Sequence, residues 1–181
     1  PIKIIKINKK VIYKDKNKFI SIDKSNISGD IDFEIKYSNE IIGHQRNSIN
    51  IFEDDLNDIY NSRTFCLYED IDLIKSKGLA KGGSLENAIV VKNNEILNDE
   101  GLRNRHEFIY HKILDCLGDL MLSGNRILGH VKTSQGGHAL TNKLLLKFFS
   151  DKSNWSLELG NKIEDNNIID QALKKPLRAS I

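Results

Sequence analysis

Residues 31–37 read Ile31-Asp32-Phe33-Glu34-Ile35-Lys36-Tyr37, a strict alternation of apolar and charged side chains. With a repeat of two, Ile31, Phe33, Ile35 and Tyr37 fall on one face and Asp32, Glu34 and Lys36 on the other, the pattern of a strand buried on one side. Working outward, Ile and Val alternate with Lys and Asn through residues 2–8 and 11–13, and Phe19 to Ile22 makes a shorter strand. A turn over 38–41 leads to a return strand from Asn47 to Phe52. These segments predict an antiparallel meander with one wet face. Phe52 to Tyr60 reads as a short acidic amphipathic helix, and Arg63 to Leu67 as a buried strand.

The texture then changes. Glu69 to Lys77 is helical, Gly78 to Ser84 is a glycine-rich loop, Asn87 to Val91 an apolar strand, and Glu95 to Leu97 a short return. Residues 68–98 are read as an insertion of α and β pieces. A long helix follows from Glu107 to Leu122, stopped by Ser123-Gly124-Asn125. Arg126 to Ser134 is a strand and His138 to Phe149 a helix. One more helix is expected around Ile168 to Lys174, followed by a loose tail. The predicted class is α+β: a two-layer sandwich, mainly antiparallel, with helices on one face of the sheet. Residues 1–155 would form the domain and 156–181 a C-terminal helix and tail.

The chain has 181 residues, enough for one domain with a real core. Its 39% apolar and 29% charged content is ordinary for a globular protein, and a net charge of +2 gives no argument for nucleic acid. Lysines cluster near the start, from Lys3 to Lys18, but they interleave with Ile and Val and are read as the solvated face of edge strands. Two cysteines, Cys66 and Cys116, in unrelated contexts point to reduced thiols in a cytoplasmic protein. No apolar run approaches the length of a transmembrane segment. The chain opens on Pro1, so it is either processed or part of something longer.

Within the long helix, residues 111–119 read His-Lys-Ile-Leu-Asp-Cys-Leu-Gly-Asp. His111, Asp115 and Asp119 lie at i, i+4 and i+8, on one side of a helix. An imidazole and a carboxylate one turn apart can grip one Zn²⁺, and a third ligand with an open water position would complete a hydrolytic site. His138 follows Gly136-Gly137 at a helix start, where glycines let backbone approach a ligand closely. Asp119 is a candidate to orient His138, which would act as an acid or electrostatic catalyst. Spacing alone does not decide this, because such a His/Asp pair is commonly a surface or capping pair.

Further stretches carry a resemblance. They are Ile42-Gly43-His44-Gln45-Arg46, Arg63-Thr64-Phe65, Gly78-Leu79-Ala80 with Gly82 to Val90, Leu97-Asn98 with Glu100 to Arg103, His111 to Asp119, and Gly137-His138-Ala139-Leu140. In order and spacing they resemble the UDP-3-O-acyl-N-acetylglucosamine deacetylases, zinc amidases of lipid A biosynthesis, over about residues 1–150. The match is to the second half of that family only. It implies the C-terminal domain of a two-domain enzyme, whose partner is its own N-terminal domain.

The resemblance further implies that His111 and Asp115 are ligands of Zn²⁺ (or Fe²⁺), with a third histidine ligand and a general-base glutamate in the other domain. It implies that His138 is the catalytic histidine assisted by Asp119, and that Thr64 helps stabilise the oxyanion. Lys112 would help hold a nucleotide-sugar, and Phe65 would pack against it. The insertion at 68–98 would be a βαβ-type piece forming a passage for the acyl chain, lined by Ile71, Leu73, Gly83, Ala88 and Val90. Gln135 stands where the family usually has a lysine. The implied reaction hydrolyses an N-acetyl group to acetate and a free amino sugar, in the cytoplasm or at the inner face of the membrane. This half alone is expected to be inactive. Two other readings stay open on sequence: a non-catalytic module binding a nucleotide-sugar or a protein, and an ordinary core helix over residues 106–123.

Overall fold

The computed structural model describes residues 3–25 and 29–159. Its strands and helices follow in chain order. β1 (Lys3–Ile7), β2 (Val11–Asp15), β3 (Lys18–Asp23), β4 (Asp30–Lys36) and β5 (His44–Asn50) come first, then a short helix α1 (Asn57–Tyr60). β6 (Thr64–Leu67), α2 (Ile71–Ser76), β7 (Ala88–Lys92) and β8 (Glu95–Ile96) form the next unit. The chain continues with α3 (Glu107–Leu120), β9 (Arg126–Leu128), β10 (His130–Ser134), α4 (His138–Ser150) and β11 (Trp155–Leu159).

The main sheet has five strands in the order β2-β3-β10-β4-β5. β2–β3 and β4–β5 are antiparallel hairpins, as the alternation predicts, with Ile31 opposite Ile49 and Phe33 opposite Asn47. The simple meander is corrected on two counts. β10 sits between the hairpins, antiparallel to β3 and parallel to β4. β1 leaves this sheet for a second one, ordered β11-β1-β9. Period-two patterning states which face of a strand is buried but not which strand lies beside it, and β4 still had one edge of backbone donors and acceptors to satisfy.

Other differences are local. The expected strand 126–134 is two strands in different sheets, broken at Gly129. The acidic helix shrinks to Asn57–Tyr60. β6 is half-buried, and Thr64 at its start is exposed. Residues 156–159, read as the beginning of the C-terminal helix and tail, continue a strand from Trp155 that pairs with β1 from Lys3↔Leu159 to Ile7↔Trp155. The helix expected at 168–174 lies outside the described residues.

α3 and α4 pack together on one face of the main sheet, which makes the domain α+β with two layers. Ile109 and Ile113 of α3, with Leu144 and Phe148 of α4, meet Ile20, Ile22, Ile31, Phe33 and Ile35 of the sheet in a single core. Each such fully buried side chain contributes about 1.5–3 kcal/mol. Cys116 belongs to this core, where burial pushes its thiol up to about 12. The opposite face is a ladder of ion pairs. Asp32 is gripped by Arg46 at 2.6 and 2.9 Å. Glu34 takes hydrogen bonds from Ser134 and His44, which pull its carboxyl down to about 2. These pairs keep the wet face wet, since a charged ladder cannot stack on a second sheet.

β6 and β7 run parallel, with α2 and the glycine-rich loop between them, and β8 returns antiparallel. Asn98 braces this βαβ unit from inside, accepting from Val90 N–H and donating to the carbonyls of Leu85 and Ala88. Among the described residues no helix is long and apolar enough to cross a membrane.

Gly129, where the chain changes sheets, has no room for a side chain. A Cβ there would lie 2.0 Å from Ile7 Cδ1 and 2.8 Å from the Asp23 carbonyl oxygen. Backbone cannot yield as a flexible side chain does. Gly129→Ala is expected to destabilise the domain by about 1–3 kcal/mol, read as a lower midpoint in thermal unfolding.

Candidate active site

α3 carries the site because its two faces are chemically distinct. Phe108, Ile109, Ile113 and Cys116 point into the core. The four-residue repeat Glu107, His111, Asp115, Asp119 runs along another stripe of the same helix. His111 and Asp115 are each mostly covered, with 16% of the side chain exposed. His111 Nε2 lies 3.4 Å from Asp115 Oδ1. The other oxygen, Oδ2, accepts from Lys112 Nζ at 2.7 Å. A carboxylate partly sheltered from water is thus balanced by a cation on its own helix.

α4 brings in the second histidine. His138 Nδ1 lies 2.9 and 3.0 Å from the two oxygens of Asp119. A carboxylate only accepts, so Nδ1 carries the proton and Nε2 is turned the other way. That Nε2 lies 3.9 Å from Asp115 Oδ1. One carboxylate oxygen therefore faces imidazoles from two different helices. The preceding loop is tight: a Cβ on Gly136 would lie 2.6 Å from Thr133 Oγ1 and 2.9 Å from the Phe33 ring. Gln135 N–H is tied to the Glu34 carbonyl at 2.8 Å. The sheet thereby sets where α4 begins.

β6 supplies the third wall. The Phe65 ring stands edge-on to Phe108 at 5.0 Å, to Tyr37 at 5.7 Å and to His111 at 6.2 Å. Thr64 is exposed at the strand's start. Of the other residues singled out by sequence, Val90 is buried, Ile71 and Ala88 are half-buried, and Leu73 and Gly83 are exposed, all within the βαβ unit.

Burial holds the His111 ring below the ordinary histidine value of 6.5, while Asp115 works against it by favouring the charged ring. Its Nδ1 is buried without a well-formed hydrogen bond, although the backbone of Ser62 also favours the charged form. A neutral imidazole beside a carboxylate is the protonation state a divalent cation requires. Nitrogen and oxygen donors of this kind suit Zn²⁺ or Fe²⁺. Two such donors converge here, and among the described residues no group of three gathers. The residues fit part of a metal site.

Sequence reasoning assigned no role to Glu107, which begins the stripe, or to Arg63, which binds it. Glu107 had a signal in its position four residues before His111. Arg63 had none beyond its place beside Thr64.

The comparisons with known proteins bear on this geometry. Residues 1–150 match the family described as LpxC: UDP-3-O-acyl N-acetylglycosamine deacetylase. This chain belongs to that family. A UDP-3-O-acyl-N-acetylglucosamine deacetylase of Campylobacter fetus is 38% identical over 156 residues, covering 86% of this chain and 53% of the relative. The protein of the same name from Campylobacter hominis is 40% identical over 156 residues, with the same coverage of each. That of Haemophilus ducreyi is 38% identical over 158 residues, covering 86% of this chain and 52% of its own. The chain spans about half the length of the LpxC relatives it matches.

The metal-free chain should show the cost of burying His111. Its folded form takes up a proton less readily than its unfolded form, so stability is expected to fall as pH drops below 6.5 toward the lower folded value. Asp115→Asn removes the charge that favours the imidazolium and should lower the His111 titration further. NMR titration of the ring, with urea unfolding on either side of pH 6.5, checks both signs.

Proposed function

We propose that this chain is the C-terminal half of a metal-dependent deacetylase that hydrolyses the N-acetyl group of UDP-3-O-acyl-N-acetylglucosamine, releasing acetate and UDP-3-O-acyl-glucosamine, in lipid A biosynthesis. The observation that carries this reading is the convergence of His111, Asp115 and the Asp119–His138 pair from two helices, in a chain related to deacetylases of that name. A module that merely binds a nucleotide-sugar has no use for a carboxylate-oriented histidine beside a second imidazole–carboxylate pair.

His111 Nε2 and Asp115 Oδ1 would hold Zn²⁺ or Fe²⁺, with the remaining ligand from the N-terminal half. A cation so bound would polarise the acetamide carbonyl and lower the pKa of a water molecule. This chain's own residues do the rest. Asp119 fixes the His138 ring with Nε2 outward; as the imidazolium, protonated on both ring nitrogens, His138 would stabilise the oxyanion through Nε2–H and pass that proton to the departing amine. In balance, the carbonyl carbon gains an oxygen from water, the C–N bond breaks, and the nitrogen leaves protonated. Thr64 adds a hydroxyl donor to the oxyanion. Lys112, already beside Asp115, offers a point charge to the diphosphate. Phe65 covers the sugar side, and the βαβ unit with Ile71, Leu73, Gly83, Ala88 and Val90 takes the acyl chain. The general base belongs to the other half, so this chain alone is expected to turn over no substrate.

The test uses the complete protein. It should carry about one Zn²⁺ or Fe²⁺ per copy and lose deacetylation on chelation. Asp115→Ala should abolish metal uptake and lower kcat by about a hundredfold or more. A protein that keeps its affinity for the nucleotide-sugar, hydrolyses nothing and takes up no metal is a binding module, and the reading fails.

A further inference from the structure

We infer that Arg63 and Glu107 are positioning residues: their buried ion pair sets the register between β6, which carries Thr64 and Phe65, and α3, which carries His111 and Asp115. This rests on the reading of α3 and β6 as walls of one deacetylase site.

The geometry is unusually complete. The Arg63 side chain is 3% exposed and that of Glu107 1%. Arg63 Nε donates to Glu107 Oε1 at 2.9 Å and Nη2 to Oε2 at 3.2 Å. Nη2 also donates to the Gly101 carbonyl at 2.7 Å, and Nη1 to the Glu100 carboxylate. The Glu107 carboxylate in turn accepts the backbone N–H groups of Arg63 at 3.0 Å and of Arg103 at 2.6 Å. Two side chains thus tie together the start of β6, the loop over residues 100–103 and the first turn of α3.

Each end of this clamp leads straight to the site. Arg63 is bonded to Thr64, and Phe65 follows with its ring on Phe108 and His111. Glu107 precedes His111 by one helical turn on the same stripe, and Asp115 by two. A slip of β6 along α3 would carry Phe65 and Thr64 away from His111 and Asp115 without disturbing the two donors that share the helix.

Stability does not account for the pair. Two buried charges gain little net energy, and apolar side chains of similar volume serve a core as well or better. Burial opposes ionisation of Glu107, yet the Arg63 guanidinium and the two backbone N–H groups outweigh it and hold the carboxyl below its ordinary value. What apolar packing cannot supply is direction: a planar fork with fixed donor angles accepts only one arrangement of its partners.

In the complete protein, Arg63→Lys keeps the charge and loses the fork. It should fold with its metal content unchanged. Its kcat should fall about tenfold to a hundredfold, as small misplacements of reacting groups do, with KM within about twofold. The His111 ring-proton shift, set partly by the Phe65 ring, should move toward the value seen in a Phe65→Leu control. The double variant Arg63→Met/Glu107→Leu should keep the fold and show the same kcat loss and the same shift. Either variant folded, with kcat and the His111 shift both at wild-type values, would overturn the clamp. So would an Arg63→Lys protein that melts earlier yet keeps its kcat per folded molecule. Should the double variant not fold, Arg63→Lys decides alone. A wild-type protein that deacetylates nothing would sink the parent reading instead, because the His111 shift reports on the clamp without turnover.

Discussion

One α-helical stripe organises this domain. Glu107, His111, Asp115 and Asp119 recur every four residues along α3, and each is engaged by something from elsewhere in the chain. Glu107 is held by Arg63 and Asp119 by His138. His111 is faced by Phe65 and Asp115 by Lys112 and both imidazoles. A helix has one rotation and one axial position that satisfy all four. The stripe can be polar because the other face of the helix, with Ile109, Ile113 and Cys116, anchors it in the core.

The main sheet supports that placement with two faces of opposite character. Its apolar face seats α3 and α4 side by side, and the core is continuous from Ile20 and Ile22 through Phe33 to Ile113 and Phe148. Its polar face spends its charges on its own neighbours, with Asp32 on Arg46 and Glu34 on Ser134 and His44. β10 links the two roles. Its central place in the sheet fixes residue 134, and four residues later α4 starts with His138. The position of the catalytic candidate is therefore inherited from sheet register rather than from loop sequence.

Much of the site could be read early, since helical spacing places His111, Asp115 and Asp119 together whatever surrounds them. Pairing of Asp119 with His138 was expected from charge and is present at 2.9 Å. The Arg63–Glu107 contact was not read, because 44 residues separate its members and neither stands in a pattern that names the other. The second sheet was missed for a similar reason. β1 has the alternation of its neighbours in sequence, and nothing local reveals that it pairs with β9 and β11 instead.

By itself the sequence determined the local events: period-two strands with a buried and a wet face, a helix with an apolar seam and a polar stripe, and the order of motifs that marks the family. These follow from backbone geometry within a few residues. Only the tertiary structure decided that β10 would separate two hairpins, that the chain would change sheets at Gly129, and that Arg63 would close on Glu107. Such choices depend on which distant edges and charges remain unsatisfied once the core has formed, and a repeat of two or of 3.6 carries no record of that.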